Sequence, residues 1–262
     1  LQPRNLSGQY YVLDKAEGKR VNSVIFCCPN KDGKGVLVSP TADGNVIVGP
    51  NAEKGNEIDD LSTTRDGLDF VKAEAQKTCE NIPYRENIRS FSGLRANSNH
   101  PDFIIGESAV CRHFINVAGI KSPGLSSAIA IGEYLEVLSD CGLIMYQKHE
   151  WRYAKPQIRF AELSNEEKAE ICKKNAKYGN VICRCNMITE GEIADALASH
   201  VKPTTVDGIK RRTGTGMGRC QGGFCGEKIH GILCNYYNID ATEVMLDQNG
   251  SNIVVEKVGE PK

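Results

Sequence analysis

The sequence predicts an α+β fold: a mixed, largely antiparallel sheet with helices beside it, followed by a smaller region of short helices. Three observations carry this expectation. Short β-branched and aromatic runs bounded by Gly, Pro, Asn and Asp recur up to Phe114. Apolar residues at three- and four-residue spacing mark helices between and after those runs. Beyond Ser164 short helical segments replace the strands, and four clustered cysteines lie among them.

Gln9-Tyr-Tyr-Val-Leu-Asp14, Val21 to Cys28 and Gly35 to Ser39 read as strands. Val36-Leu-Val38 and Asn45-Val-Ile-Val48 flank Thr41-Ala-Asp-Gly44, where Asp43-Gly44 supplies the positive φ of a tight hairpin. Thr63 or Thr64 caps a helix carrying Leu68, Val71, Ala75 and Cys79 on one face. Strands resume at Ile88 to Leu94, with Arg95 following, and at Phe103 to Gly106. Phe114-Ile-Asn-Val117 is a further short strand, and a turn at Ala118-Gly-Ile-Lys121 leads into Ser122-Pro123-Gly124. This is a helix start: Ser caps free amides, and Pro has no amide to leave unsatisfied. Leu125, Ala128, Ile129, Gly132 and Leu135 then share one face, with small residues that allow close packing. From Met145 the chain turns polar, and a boundary is expected between residues 150 and 165. Its linker should pack on its neighbours, because Trp151, Tyr153, Ile158 and Phe160 are costly to leave in water. Ser164-Asn-Glu-Glu167 opens another helix.

Composition narrows the function. With 32 Lys+Arg against 33 Asp+Glu in 262 residues, the net charge of −1 provides no global field for nucleic acid, which is not an expected partner. No run approaches the 18 or so apolar residues of a membrane span. Leu1 to Asn5 lack the basic start and apolar run of a secretion signal, so a cytoplasmic location is expected. The chain does not begin with Met, which suggests a piece of something longer. Its 11 cysteines, an odd count, argue for a reduced compartment and against a disulfide framework.

Cys183 and Cys185 lie in Val181-Ile-Cys-Arg-Cys-Asn186, and Cys220 and Cys225 in Gly218-Arg-Cys-Gln-Gly-Gly-Phe-Cys-Gly226. Four thiolates brought together need a metal or cluster to stabilise their charge. A 2Fe-2S centre takes four cysteines. Structural zinc does too, as a substitute, but its usual pairs are Cys-x2-4-Cys, so the one-residue spacer counts against it; unligated thiols are the third reading. Cys27, Cys28, Cys79, Cys111, Cys141, Cys172 and Cys234 read as small packing residues. Lys210, Arg211, Arg212 and Arg219 either offset a cluster's charge or form a solvated helix face. Gly214-Thr-Gly-Met-Gly218 lacks the preceding strand and full spacing of a nucleotide loop.

Ile182-Cys-Arg-Cys-Asn186, Glu190-Gly-Glu-Ile193, Asp207 to Thr213 and Gly216 to Cys225 resemble the bacterioferritin-associated-ferredoxin-type 2Fe-2S domain, in the version fused to flavin dehydrogenases. That resemblance implies a small all-helical domain with Cys183, Cys185, Cys220 and Cys225 as ligands. Gly33-Lys-Gly-Val-Leu-Val38, Pro40 to Asn45, Val48-Gly-Pro50, Phe91-Ser-Gly-Leu-Arg95 and Val117 to Leu125 resemble the C-terminal half of the FAD-dependent D-amino-acid-oxidase/glycerol-3-phosphate-dehydrogenase superfamily. It implies that Arg95 clamps the substrate anion, with Lys121 touching either the substrate phosphate or the flavin. Gly119, Ile120, Ser122, Pro123, Gly124 and Leu125 would form the flavin-contacting turn and helix start. The superfamily's Gly-rich dinucleotide motif is not in this sequence, which is expected to be inactive alone.

The resemblance thus implies three segments: 1–150 as the C-terminal half of an FAD-dependent oxidoreductase domain, 151–178 as linker and helix, and 179–262 as the cluster domain. The implied activity is oxidation of sn-glycerol 3-phosphate to dihydroxyacetone phosphate. Electrons would pass from flavin through the cluster to an acceptor protein or quinone-linked partner at the inner face of the membrane. The alternatives are a 2-hydroxy acid or amino acid as substrate, and a non-catalytic iron–sulfur or zinc module. None of His100, His113, His149, His200 and His230 sits in a motif that makes it a base.

Overall fold

Strand β1 (Pro3–Leu13) organises the first part of the chain in the computed structural model, which describes residues 3–28, 35–54, 59–137, 146, 149–150, 156–256 and 259. Its full length pairs antiparallel with β6 (Asn87–Ser98), from Pro3 opposite Ser98 to Leu13 opposite Asn87. On its other edge β1 meets β4 (Val46–Gly49) at Tyr11 to Leu13 and β5 (Glu53–Lys54) at Leu6 and Ser7. β3 (Leu37–Pro40) and β2 (Ile25–Phe26) extend the sheet beyond β4. All these pairs are antiparallel, as the sequence predicts. The expected hairpin joins β3 to β4, with Gly44 at φ 84° and its amide donating to Thr41 O. The strand expected over Val21 to Cys28 shrinks to two residues, because only Val21 of that stretch is buried.

Helix α1 (Arg65–Gln76) covers one face of the sheet. Thr64 is its cap, accepting from the Gly67 amide, and Val71 and Ala75 are fully buried with Leu13, Val36, Val38, Val46 and Val48. Gln9 pins the helix start: its carboxamide oxygen accepts from the Thr64 amide at 2.9 Å, and its nitrogen donates to Thr64 Oγ1 and Glu53. Gly67 is required there, since a Cβ would collide with the Gln9 carboxamide. β7 (Ile104–Glu107) and β8 (Ile115–Ala118) form a separate two-stranded ladder leading to α2 (Gly124–Val137).

The chain divides into two compact units, Leu1–Arg152 and Tyr153–Lys262. Of the linker's large apolar residues, Trp151 and Tyr153 lie outside the described residues; Phe160 is buried, whereas Ile158 is 40% exposed. In the second unit, α3 (Asn165–Lys174) starts at a Ser164 capping box with Glu167. β9 (Val181–Cys183) and β10 (Ile188–Thr189) make a short ladder that adds two strands to the expected helical domain. α4 (Glu190–Leu197), α5 (Val206–Thr213) and α6 (Gly226–Tyr237) complete it around Ile193, Leu197, Ile209, Ile229 and Leu233. Glu192 is buried but satisfied, accepting from the Phe160 amide and from the amide and hydroxyl of Thr189. That bond draws the Phe160 segment onto the helical core.

Candidate functional site

Arg95 lies within β6, opposite Leu6, rather than after the strand as the sequence suggested. Alternation along β6 puts Phe91, Gly93 and Arg95 on the face opposite the one that carries Ser92, whose cross-strand partner is the helix-pinning Gln9. Arg95 therefore projects from the sheet face that α1 leaves open. On that face Tyr10 and Phe91 stack with ring centroids 4.9 Å apart. Gly8 and Gly93 lie directly opposite each other between the rings and Arg95: the Pro50 side chain fills the space over Gly8, whereas that over Gly93 is open. Among the described residues the half-buried Arg95 has no ion-pair partner. A planar cation with five donors, set on an open surface with an aromatic floor nearby, suits a small anion with an apolar body.

The turn after β8 is fastened to the strand that carries Arg95. The Lys121 amide donates to Ala96 O at 3.2 Å, one residue from Arg95, and Lys121 Nζ donates to Pro101 O at 3.1 Å. Gly119 (φ 67°) and Lys121 (φ 61°) are both left-handed, and a Cβ at Gly119 would stand 3.0 Å from Ser98 Oγ. The structure thus fastens the turn at Gly119, Ile120 and Lys121 to Ala96 and Ser98 of the strand that carries Arg95, with Ser98 on the face opposite Arg95, and Ser122, Pro123, Gly124 and Leu125 continue into the start of α2. The hydroxyls of Ser126 and Ser127 both donate back to Pro123 O, and the first amides of an α-helix have no partner within the helix. Leu125 is 93% and Ile129 79% exposed, so the apolar face expected to pack is uncovered among the described residues. A glycine-lined turn ahead of a helix N-terminus fits the electron-rich edge of a flavin.

The four cysteines form two pairs. Cys185 Sγ and Cys220 Sγ are 3.5 Å apart, and the thiols of Cys183 and Cys225 are hydrogen-bonded to one another. Cys183 ends β9 and Cys225 precedes α6, so both are anchored in the helical core and almost wholly buried. Cys185 and Cys220 sit on the connecting loops, the first exposed and the second half-buried. Loop amides converge on sulfur: Phe224, Gly222 and Gly223 donate to Cys220, and Gly216 donates to Cys225. Burial raises the Cys220 pKa, but these bonds and the one to Cys185 outweigh it and hold the thiol below its ordinary value. Burial, then the charge of Cys183, pushes Cys225 up to about 11. Gly218 has no room for a Cβ beside Cys185. Among the described residues, no group of three or more His, Cys, Asp or Glu is placed to hold a single metal ion. Two thiol pairs, each receiving backbone N–H donors, fit a two-iron cluster with two thiolates per iron.

The other predicted residues separate from this centre. Lys210 pairs with Asp207 and Arg211 with Asp247, and Arg212 donates to Gly208 O and Val201 O, so α5's basic run is tied to its own surroundings. Of the seven cysteines expected to pack, Cys28 and Cys111 are exposed and Cys27, Cys79, Cys172 and Cys234 are half-buried; Cys141 lies outside the described residues. His230 Nε2 bonds to Ala241 O, a structural role. Sequence reasoning missed the Tyr10–Phe91 stack, whose signal was the period-two run Phe91, Gly93, Arg95.

A family model for FAD dependent oxidoreductases, of the DAO type, matches residues 1–137, more than half of the chain. The chain belongs to the FAD-dependent oxidoreductase family. Residues 181–235 of this family member match a second model, the BFD-like 2Fe-2S binding domain. A glycerol 3-phosphate dehydrogenase from Caloramator mitchellensis is 46% identical over 94% of this chain and 52% of its own length. An L-2-hydroxyglutarate dehydrogenase, mitochondrial, from Arabidopsis thaliana is 28% identical over 49% of this chain and 30% of its own. Among solved structures, the dithionite-reduced L-alpha-glycerophosphate oxidase from Mycoplasma pneumoniae with FAD bound has a TM-score of 0.53 at 31% identity, covering 60% of this chain and 41% of that one. The chain therefore spans about half the length of these relatives, or less. No helix among the described residues is long and apolar enough to cross a membrane.

Proposed function

We propose that this chain is the substrate-facing and electron-exit portion of an FAD-dependent dehydrogenase that oxidises sn-glycerol 3-phosphate to dihydroxyacetone phosphate. Segments 1–150, 151–178 and 179–262 act as the oxidoreductase half, the linker with its helix, and the cluster domain. FAD, when bound, supplies a hydride acceptor, and a 2Fe-2S cluster on Cys183, Cys185, Cys220 and Cys225 supplies a one-electron carrier. Arg95 binds the phosphate through paired N–H donors and sets the orientation of the carbinol carbon. Lys121, positioned through Pro101, adds positive charge beside it. Gly119, Ile120, Ser122, Pro123, Gly124 and Leu125 hold the flavin edge, where helix-start amides stabilise negative charge. Tyr10 and Phe91 keep water from the apolar side of the substrate. The acceptor is a protein or quinone-linked partner, met in the cytoplasm or at the inner membrane face.

The observation that supports this reading most is the Lys121–Ala96 hydrogen bond, which sets the flavin turn against the anion-binding strand. A second reading, a 2-hydroxy acid held at Arg95 by its carboxylate, is favoured by the likeness to the 2-hydroxyglutarate dehydrogenase. Stopped-flow reduction of the full-length flavoprotein separates the two. Rapid bleaching of flavin by glycerol 3-phosphate and not by 2-hydroxyglutarate is expected, and the reverse order refutes the first reading.

A further inference from the structure

We infer that Cys185 and Cys220 hold the iron that takes up the electron, and Cys183 and Cys225 the iron that stays ferric. This rests on the 2Fe-2S reading and adds to it a division of labour among the four thiols. Two thiolates on one tetrahedral metal, each about 2.3 Å from it, lie ~3.7 Å apart, and thiolates on different irons lie much farther apart. Cys185 and Cys220, with sulfurs 3.5 Å apart, therefore correspond to one iron, and the hydrogen-bonded Cys183 and Cys225 to the other. The pairing crosses the sequence motifs: each iron draws one cysteine from the Cys-x-Cys segment and one from the Cys-x4-Cys segment.

One added electron converts one ferric ion to ferrous and makes the centre more negative by one charge. The charge of the four thiolates acts on both irons, so their surroundings decide which is reduced. Hydrogen bonds to the ligand sulfurs and exposure to water both favour the more negative state. Both favour the outer pair. Cys220 Sγ accepts from the amides of Gly222, Gly223 and Phe224, whereas Cys225 Sγ accepts from Gly216. Cys185 is exposed and Cys220 half-buried, while Cys183 and Cys225 are each 1% exposed in a core with Ile182, Ile188, Ile229 and Leu233. The loop after Cys220 is shaped to present those amides. Gln221 (φ 48°) and Gly222 (φ 89°) are left-handed in succession, and the three amides that follow face Cys220 Sγ. The Gly223 amide is shared with Cys220 O at 3.0 Å. Gln221 Nε2 braces the turn, donating to Met217 O at 3.3 Å and Gly218 O at 3.0 Å. Gln221 is thus a positioning residue, acting on Cys220 through the amides it fixes.

The test uses the full-length protein with its cluster reconstituted anaerobically and reduced by one electron with dithionite. Proton NMR at several temperatures separates the irons: cysteine β-protons on the ferric ion shift farther and lose shift on warming, and those on the ferrous ion gain it. Cys185→Ser and Cys220→Ser, both on loops and each leaving a hydroxyl ligand, assign the outer pair by the resonances they remove. Ferrous behaviour of both Cys185 and Cys220 is expected. Ferric behaviour of both overturns the placement of the electron, one of each kind overturns the pairing, and equal behaviour of all four cysteines overturns localisation itself. A second measurement needs no change of ligand. Gln221→Ala should lower the midpoint potential in an anaerobic redox titration, by about tenfold in the reduction equilibrium, as expected for weakening a hydrogen bond to a charged sulfur. An unchanged potential, with iron and acid-labile sulfide retained, overturns the role of the loop amides. Absence of iron and sulfide from the unsubstituted protein would instead overturn the cluster reading, which keeps the two failures apart.

Discussion

The two units place their proposed functional residues in opposite ways. In Tyr153–Lys262 the cysteine centre is closed on itself: four thiols, their amide donors and the core that holds them all lie within one small unit. In Leu1–Arg152 the functional residues lie on a surface. Arg95 and the Tyr10–Phe91 stack lie on an open sheet face, and the turn to α2 is fastened to the same strand ahead of a helix whose Leu125 and Ile129 are left uncovered among the described residues. A site built by local loops is specified by its own segment. A site built by long-range strand pairing is specified only once the sheet exists.

The comparison can be broken at several points. The largest effect is expected at the proposed ligands: Cys183→Ser should lose essentially all iron and acid-labile sulfide, because the Cys183 thiol is held almost wholly buried in the core. Retention of the cluster, seen in the visible spectrum, would show the centre to be less self-contained than its burial implies. Leu233→Ala removes a fully buried side chain from the core behind Cys225 and should cost ~3 kcal/mol in urea unfolding of the second unit. Arg95→Ala in the full-length flavoprotein should raise KM for glycerol 3-phosphate by about ten- to a hundredfold, from the loss of a charge-assisted pair worth ~2 kcal/mol. Because Arg95 lies on the open face, its unfolding midpoint should hardly move; a large drop would assign it a structural role. Thr64→Ala should destabilise the sheet unit by ~1 kcal/mol through loss of the α1 cap. Arg211→Ala, breaking the exposed pair with Asp247, should cost under about 0.5 kcal/mol.

Legibility in the sequence follows the same division. The hairpin at Thr41 to Gly44, the Thr64 helix, the α2 start and the Ser164 cap were readable because each is fixed by a few adjacent residues. The antiparallel class was readable too, but not the extent of β1 and β6, whose pairing runs from Leu13 opposite Asn87 to Pro3 opposite Ser98, far apart in the sequence. For that reason Arg95 was expected after a strand and is found inside one. The cysteine spacing identified the four thiols that assemble. It could not identify which would be buried, since that depends on β9 and α6 closing around Cys183 and Cys225. Nor could it give the fate of Arg211, whose partner Asp247 comes from a distant loop.

The central claim is that substrate bound at the open sheet face reduces the closed cysteine centre. Electron paramagnetic resonance of the anaerobic full-length protein after mixing with sn-glycerol 3-phosphate tests it most directly. The account predicts the low-temperature signal of a reduced 2Fe-2S cluster, lost in Cys183→Ser and slowed in Arg95→Ala. A protein whose cluster is reduced by dithionite but stays silent with glycerol 3-phosphate would contradict it.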